Sequence, residues 1–167
     1  MYGSNPAGFE SQSGFSVIAD REKFIVAYPM GYNGTWNGGD CCGAAASENI
    51  DDVGFISALI DTLITEQPVD TNRIYATGFS NGAIMCYRLA SEIGDVLSGI
   101  APVSGTFTMN DIVTDSAVSV IHFHALDDGA VTFDGSIPSE SLEGKSIYEL
   151  LNSWKTINGT LADSVIF

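Results

Sequence analysis

Residues 73–86 read Arg-Ile-Tyr-Ala-Thr-Gly-Phe-Ser-Asn-Gly-Ala-Ile-Met-Cys. The spacing predicts a strand at Ile74 to Thr77, a turn Gly78-Phe79-Ser80-Asn81-Gly82, and an apolar-periodic helix through Ala83 to Leu89. A serine held at so sharp a strand-to-helix turn projects its hydroxyl above the sheet, and glycines two before and two after it make room for the turn. A helix that starts at Ser80 turns its free N–H groups and positive dipole end toward any oxyanion formed when that hydroxyl attacks a carbonyl. The plainer alternative is a glycine-rich βα turn with no chemistry; G-x-S-x-G alone does not separate the two, and the flanking strand and helix favour the first.

The rest of the chain repeats the alternation. Phe9 to Lys23 is expected to be a helix feeding a buried strand, Phe24 to Tyr28, which Pro29 stops. Asp51 and Asp52 cap a helix whose Val53, Ile56, Leu59, Ile60, Leu63 and Ile64 follow i, i+3, i+4 spacing. Leu97 to Val103 and Val118 to Phe123 are further apolar runs, and residues 144–157 form an amphipathic helix with Ile147, Leu150, Leu151 and Trp154 on one side. Asp163 to Phe167 reads as a strand. Strands and helices alternating at this pace give an α/β class with right-handed crossovers and a mainly parallel sheet covered on both sides. One domain over residues 1–167 is expected, with no internal repeat.

The net charge of −15, from 21 acidic and 6 basic residues, argues against a broad footprint for nucleic acid or an anionic membrane surface. A neutral ester, glycan or polyester is the easier substrate. No stretch approaches a membrane span. Cys41, Cys42 and Cys86 have no metal-ligand spacing and define no disulfide framework. Cys86, six residues past Ser80 on a helix, reads as a buried small thiol, whereas Cys41 or Cys42 is open to pairing with a cysteine outside the chain. Asn33-Gly-Thr and Asn158-Gly-Thr are glycosylation triplets of a kind that occurs often by chance. Between Met30 and Ile50 lies a loop rich in Gly, Asn and small residues, too long for a connector; its length and Trp36 point to function.

A serine nucleophile needs a carboxylate that orients a histidine, and that carboxylate belongs at a strand's carboxyl end. The segment His124-Ala-Leu-Asp-Asp-Gly-Ala-Val-Thr-Phe-Asp offers Asp127, Asp128 and Asp134, of which Asp128 is the choice and Asp127 the reserve. A polar turn is the alternative for that pair. No histidine follows Asp128. His122 and His124 precede it on one face of a strand and read as structural histidines, not as the general base.

Several segments together resemble the secreted α/β-hydrolases of the polyhydroxybutyrate depolymerase and feruloyl/acetyl-xylan esterase type. Tyr2-Gly-Ser-Asn-Pro-Ala-Gly-Phe-Glu resembles that family's loop after a His-Gly pair, and Phe24 to Pro29 its next strand. Trp36-Asn-Gly-Gly-Asp-Cys-Cys-Gly with Asp51-Asp-Val-Gly-Phe resembles its substrate-side loop and helix start. Arg73 to Leu89 carries the elbow, Ile100-Ala-Pro-Val-Ser-Gly the following strand, and His122-Phe-His-Ala-Leu-Asp-Asp its His-x-His-Gly-x-x-Asp segment, with Ala125 in place of the usual glycine. The resemblance implies an α/β-hydrolase fold, an extracellular location, and a serine esterase acting on a polyester or an ester-substituted polysaccharide.

It further implies Ser80 as nucleophile and Asp128 as acid. The N–H of Asn81, with a second near Tyr2 or Gly3, would form the oxyanion hole, and Trp36, Asn37 and Asp40 would contact substrate. No metal or organic cofactor is needed for this chemistry, and the oligomeric state is left open. The family's first core strands and its catalytic histidine have no counterpart between Met1 and Phe167, so the chain is expected to be a fragment of a longer esterase. The alternatives are a catalytically incomplete binding module and a serine peptidase or acyltransferase on the same fold.

Overall fold

The computed structural model describes residues 5–160. It opens with two helices, α1 (Pro6–Ser13) and α2 (Phe15–Glu22), where the sequence predicts one. Gly14 separates them: its left-handed backbone, φ +66°, directs its N–H onto Glu10 O and ends α1 before α2 begins. The expected strand at Phe24 to Tyr28 is absent. No described segment offers it a ladder partner, and Phe24 and Ile25 stay exposed.

After a loop containing a short 3₁₀ turn at Tyr32–Gly34 and helix α3 (Gly43–Ser47), the chain enters α4 (Asp52–Glu66). Asp51 is its cap, its carboxylate accepting the Gly54 N–H at 2.9 Å. Strand β1 (Tyr75–Phe79) leads into α5 (Asn81–Glu92), and β2 (Gly99–Val103) and β3 (Ser119–Val120) complete a parallel sheet of order β1-β2-β3. Tyr75 pairs with Gly99 and Gly99 with Ser119. Hydrogen bonds from Ile121 to Ile100 and from Phe123 to Pro102 carry the β3 pairing on toward Phe123, as the apolar run predicts.

That register gives the sheet two unlike faces. Ala76, Gly78, Ile100, Pro102, Val118 and Val120 share one face, and there α4, α5 and α6 (Ile147–Ile157) contribute to a single core with Val53, Met85, Tyr87, Leu89, Phe107, Leu150 and Trp154. On the other face Tyr75, Phe79, Ile121 and Phe123 remain exposed. A sheet covered on both sides was the expectation; among the described residues the helices that pack on the core all join one cluster, which leaves the second face open.

Helix α6 begins with a reciprocal cap between Ser146 and Glu149 and buries Ile147, Leu150 and Trp154, the face its spacing predicts. A hairpin of β4 (Ser136–Ile137) and β5 (Leu142–Glu143), which no sequence pattern announces, joins Cys41, Cys42, Ile84 and Val131 in a second apolar cluster. Asn158 then ties the end of α6 to the sheet: its amide donates to Val118 O at 2.8 Å and accepts from Val118 N at 3.0 Å. No helix among the described residues is long and apolar enough to cross a membrane. The predicted strand at Asp163 to Phe167 lies outside the described residues.

Candidate functional site

Ser80 joins β1 to α5 at φ 56°, ψ −121°, a left-handed conformation that costs a residue with a side chain about 1–3 kcal/mol and persists only where surrounding structure fixes it. Three contacts do so here. Its N–H donates to Val103 O of β2 at 2.9 Å, and its carbonyl accepts from Ala83 and Ile84 at 2.8 and 3.1 Å, which starts the helix. Gly78 is required by packing, since a Cβ there would lie 2.4 Å from the carbonyl group of Gly82. The Ser80 side chain does not cap the helix and forms no hydrogen bond among the described residues, so its hydroxyl is not spent on the fold. Asn81, as the first helical residue, has no intrahelical acceptor for its N–H. Tyr2 and Gly3, expected to line the same site, lie outside the described residues.

Asp128 follows the β3 pairing as Ser80 follows β1, so both stand beyond the carboxyl ends of parallel strands, on one edge of the sheet. Its Oδ1 accepts the N–H groups of Ala130 and Val131 at 2.9 and 3.1 Å, and the side chain of Ser104, just past β2, favours the charged form of the same carboxylate. Burial alone would raise the pKa of this group. The two backbone N–H groups, Ser104 and nearby His124 outweigh it and hold the carboxyl below the usual range. Asp127 is exposed, and Asp134 closes its own turn through Thr132 and the Ser136 N–H. Of the three candidate acids, Asp128 alone feels a residue at the end of a neighbouring strand, Ser104, which helps hold its carboxyl charged. Ser104, at φ 51°, was not singled out in the sequence; its place two residues after Pro102 in β2 is the signal for it.

The loop over residues 30–50 is fastened to the elbow. The Asn81 side chain accepts the Trp36 N–H at 2.7 Å and donates to Trp36 O at 2.8 Å. Trp36 is half-buried and stacks on Phe55 of α4, ring centroids 6.3 Å apart. Asp40 is exposed. Asn37, expected to touch substrate, is corrected: it is 1% exposed and its polar groups are consumed internally. Its N–H donates to Asp52, its amide to Ile50 O, its Oδ1 accepts from Gly39, and its carbonyl accepts from Arg88. It holds the loop's shape and has no face left for a ligand.

Cys41 and Cys42 are disulfide-bonded to each other and not to a cysteine elsewhere; both are buried against Ile84, Val131 and Ile137, out of reach of an outside thiol. Cys86 is the buried thiol predicted, its pKa pushed up to about 12 by burial.

Beneath the acid loop, His122 and His124 lie on the α5 side of the β3 extension, as alternation predicts. Tyr87 Oη is 2.8 Å from His122 Nδ1, His122 Nε2 is 3.0 Å from His124 Nδ1, and His124 Nε2 is 2.7 Å from Val131 O. Burial, reinforced by the neighbouring His124, lowers His122 to about 4, so at neutral pH it is uncharged. The site thus combines an unspent hydroxyl on a fixed turn, a helix N-terminus beside it, and an ionised carboxylate on the same sheet edge.

A family model described as phospholipase/carboxylesterase matches residues 45–153. The chain is similar to the bifunctional acetylxylan esterase/xylanase XynS20E of Neocallimastix patriciarum, 29% identical over 126 residues that cover 74% of this chain and 17% of that protein. It is similar to feruloyl esterase B of Piromyces equi, 29% identical over 167 residues, 90% of this chain and 30% of that protein. Poly(3-hydroxyalkanoate) depolymerase C of Paucimonas lemoignei is 31% identical over 103 residues, 59% of this chain and 24% of that protein. The chain spans less than a third of the length of each of these relatives.

Proposed function

The chain belongs to the phospholipase/carboxylesterase family of α/β-hydrolases, and from that premise we propose that it carries the nucleophile and the acid of a serine ester hydrolase. The observation that carries the proposal is Ser80: a hydroxyl with no hydrogen bond among the described residues, on a positive-φ turn between β1 and α5, beyond the same end of the sheet as the ionised carboxylate of Asp128. In the proposed cycle, Ser80 Oγ attacks the ester carbonyl and passes its proton to a histidine base. The Asn81 N–H, with a second N–H near Tyr2 or Gly3, stabilises the oxyanion. The bond to the alcohol then breaks as the histidine returns the proton, and water, deprotonated by the same base, releases the acid from Ser80. Asp128 orients the histidine and stabilises its cation.

Both histidines of the chain are tied into the Tyr87–Val131 line, so the base in this reading is a histidine other than His122 or His124. Domain organisation follows the same reading: residues 1–167 are part of one hydrolase domain. For substrate we propose a neutral, ester-bearing polymer outside the cell, a polyester or an ester-substituted polysaccharide. The names of the relatives and the net charge of −15 support it. The half-buried Trp36 and the exposed Asp40 are assigned to the substrate side of the elbow.

The test is hydrolysis of an aryl acetate, methyl ferulate and a short 3-hydroxybutyrate oligomer by the full-length protein. Ser80→Ala and Asp128→Asn are each expected to lower kcat by about 10³-fold or more with the fold intact. Retained hydrolysis in Ser80→Ala would overturn the assignment.

A further inference from the structure

With both rings neutral, the line from Tyr87 to Val131 admits one arrangement of protons. Val131 O can only accept, so His124 Nε2 carries a hydrogen. In a neutral ring that leaves Nδ1 as an acceptor, which requires a hydrogen on His122 Nε2. His122 Nδ1 is then an acceptor in turn, and the Tyr87 hydroxyl, deep in α5, donates to it. Each donor meets an acceptor, and every link runs from the core toward the acid loop.

The far end of that line is the segment that shapes the Asp128 site. Val131 receives the His124 N–H on its carbonyl and gives its own N–H to Asp128 Oδ1, so one peptide unit to either side of Val131 is held by the relay and by the acid. His124 Nε2 also lies 3.8 Å from Asp128 Oδ2. Phe133 packs edge-on against the His124 ring and fixes its plane, with centroids 5.7 Å apart. The groups facing the two rings are Tyr87 from α5 and Asp128 from the loop, with Ser104 from the end of β2 beyond, which favours the charged form of that carboxylate.

We propose that His122 and His124 are positioning residues: as a neutral, Nε2-protonated pair they transmit the fixed place of Tyr87 in α5 to the Val131 carbonyl and so set the orientation of the Asp128 carboxylate. The inference rests on the reading of Asp128 as the acid. It gives both histidines a role in the reaction without contact with substrate. A cation at His124 would reverse the first two links, with His124 Nδ1–H donating to His122 Nε2 and His122 Nδ1–H to Tyr87, and a cation at His122 would reverse the first alone, so the direction proposed holds while both rings are neutral.

Two measurements test it on the full-length protein. The first needs no variant: nitrogen-15 shifts of the two imidazoles between pH 6 and 8 are expected to show the Nε2–H tautomer in both rings. An Nδ1–H tautomer or a cation in either ring overturns the proposal. The second compares His124→Gln, whose amide nitrogen still reaches the Val131 carbonyl, with His124→Phe, which fills the space without a donor. His124→Phe is expected to lower kcat about 10- to 100-fold with KM within about twofold, as for a small misplacement of a catalytic group. The acid limb of kcat/KM should move to lower pH, because a misaimed Asp128 stabilises the histidine cation less. His124→Gln is expected to recover most of kcat.

Equal losses in both variants that follow only the fall in Tm, with an unmoved acid limb, would make the pair structural and sink the idea. Asp128→Asn, run alongside, separates the two failures. Full activity there removes the acid assignment and the positioning role with it, whereas inactive Asp128→Asn beside fully active His124→Phe removes the positioning role alone.

Discussion

The clamp between Asn81 and Trp36 is the place where stability and chemistry are expected to meet. Asn81 is 2% exposed and makes two hydrogen bonds, at 2.7 and 2.8 Å, to the backbone of a residue 45 positions away. Truncation to alanine removes both and orphans the Trp36 N–H and carbonyl. At about 1 kcal/mol per bond plus the desolvation left unmatched, Asn81→Ala should lose about 2–4 kcal/mol of unfolding free energy. Asn81→Asp is the sharper probe. Its carboxylate still accepts the Trp36 N–H but sets an oxygen against the Trp36 carbonyl, while the charge gains about 0.3–1 kcal/mol from the α5 N-terminus. Because that charge must also give up water at a site 2% exposed, the net loss of stability should be larger than for alanine. The activity loss should be larger, because a fixed negative charge beside Ser80 opposes the oxyanion, an effect of about 10²-fold or more in kcat.

Urea unfolding and ester hydrolysis on both variants provide the comparison, with tryptophan emission as a local reporter. Trp154 is buried in the core, so a red shift in the native state reports release of Trp36. If Asn81→Ala lies within about 0.5 kcal/mol of the parent with unchanged emission, or if Asn81→Asp is the more stable protein, the clamp argument is wrong.

Gly78→Ala drives a Cβ into the Gly82 carbonyl group, 2.4 Å away in backbone that cannot yield, and should cost about 3 kcal/mol or abolish soluble expression; denaturation midpoints decide. Asn158→Ala deletes both bonds to fully buried Val118 and should lower stability by about 2–3 kcal/mol in the same assay, loosening α6 from β3. His122 governs a pH dependence. Folded, it titrates near 4 against 6.5 for the free side chain, so the unfolded chain binds the extra proton and stability falls as pH drops from about 6.5 toward 4. Thermal melts across that range should show a slope that flattens in His122→Phe; parallel slopes for the two proteins would refute the assignment.

What the sequence made legible was local. The elbow could be read because its signals, a β-branched strand, two glycines and an apolar-periodic helix, fall within 14 residues, and α6 because its cap and stripe are adjacent. The misreadings share the opposite property. Asn37 read as a substrate contact, and its burial was not legible because its partners Asp52 and Arg88 lie 15 and 51 residues away. Cys41 and Cys42 read as open to pairing with a cysteine outside the chain because adjacent cysteines carry no spacing signal. Phe24 to Tyr28 has the composition of a buried strand, yet a strand is defined by its neighbour, which composition does not supply. For the candidate site, motif and strand end single out Ser80 and Asp128 as the residues to test, whereas Ser104, the Asn81 clamp and the direction of the histidine line depend on side chains that converge only in the fold.

Three of the asparagines that fasten this molecule, Asn37, Asn81 and Asn158, are each followed by glycine, as is exposed Asn33 in its turn. Asn-Gly is the pair most open to deamidation, in which the glycine nitrogen attacks the side-chain carbonyl, ammonia leaves, and water opens the ring to aspartate or isoaspartate. That attack needs a backbone freedom that the first turn of α5 denies Asn81 and an amide that Ile50 O holds still in Asn37 and Val118 in Asn158. The native fold thus keeps its own fasteners chemically young and leaves Asn33 to age first. Each excursion to the unfolded state suspends that protection, and a fastener that ages there returns with an oxygen facing an oxygen, turning a reversible opening into a permanent one.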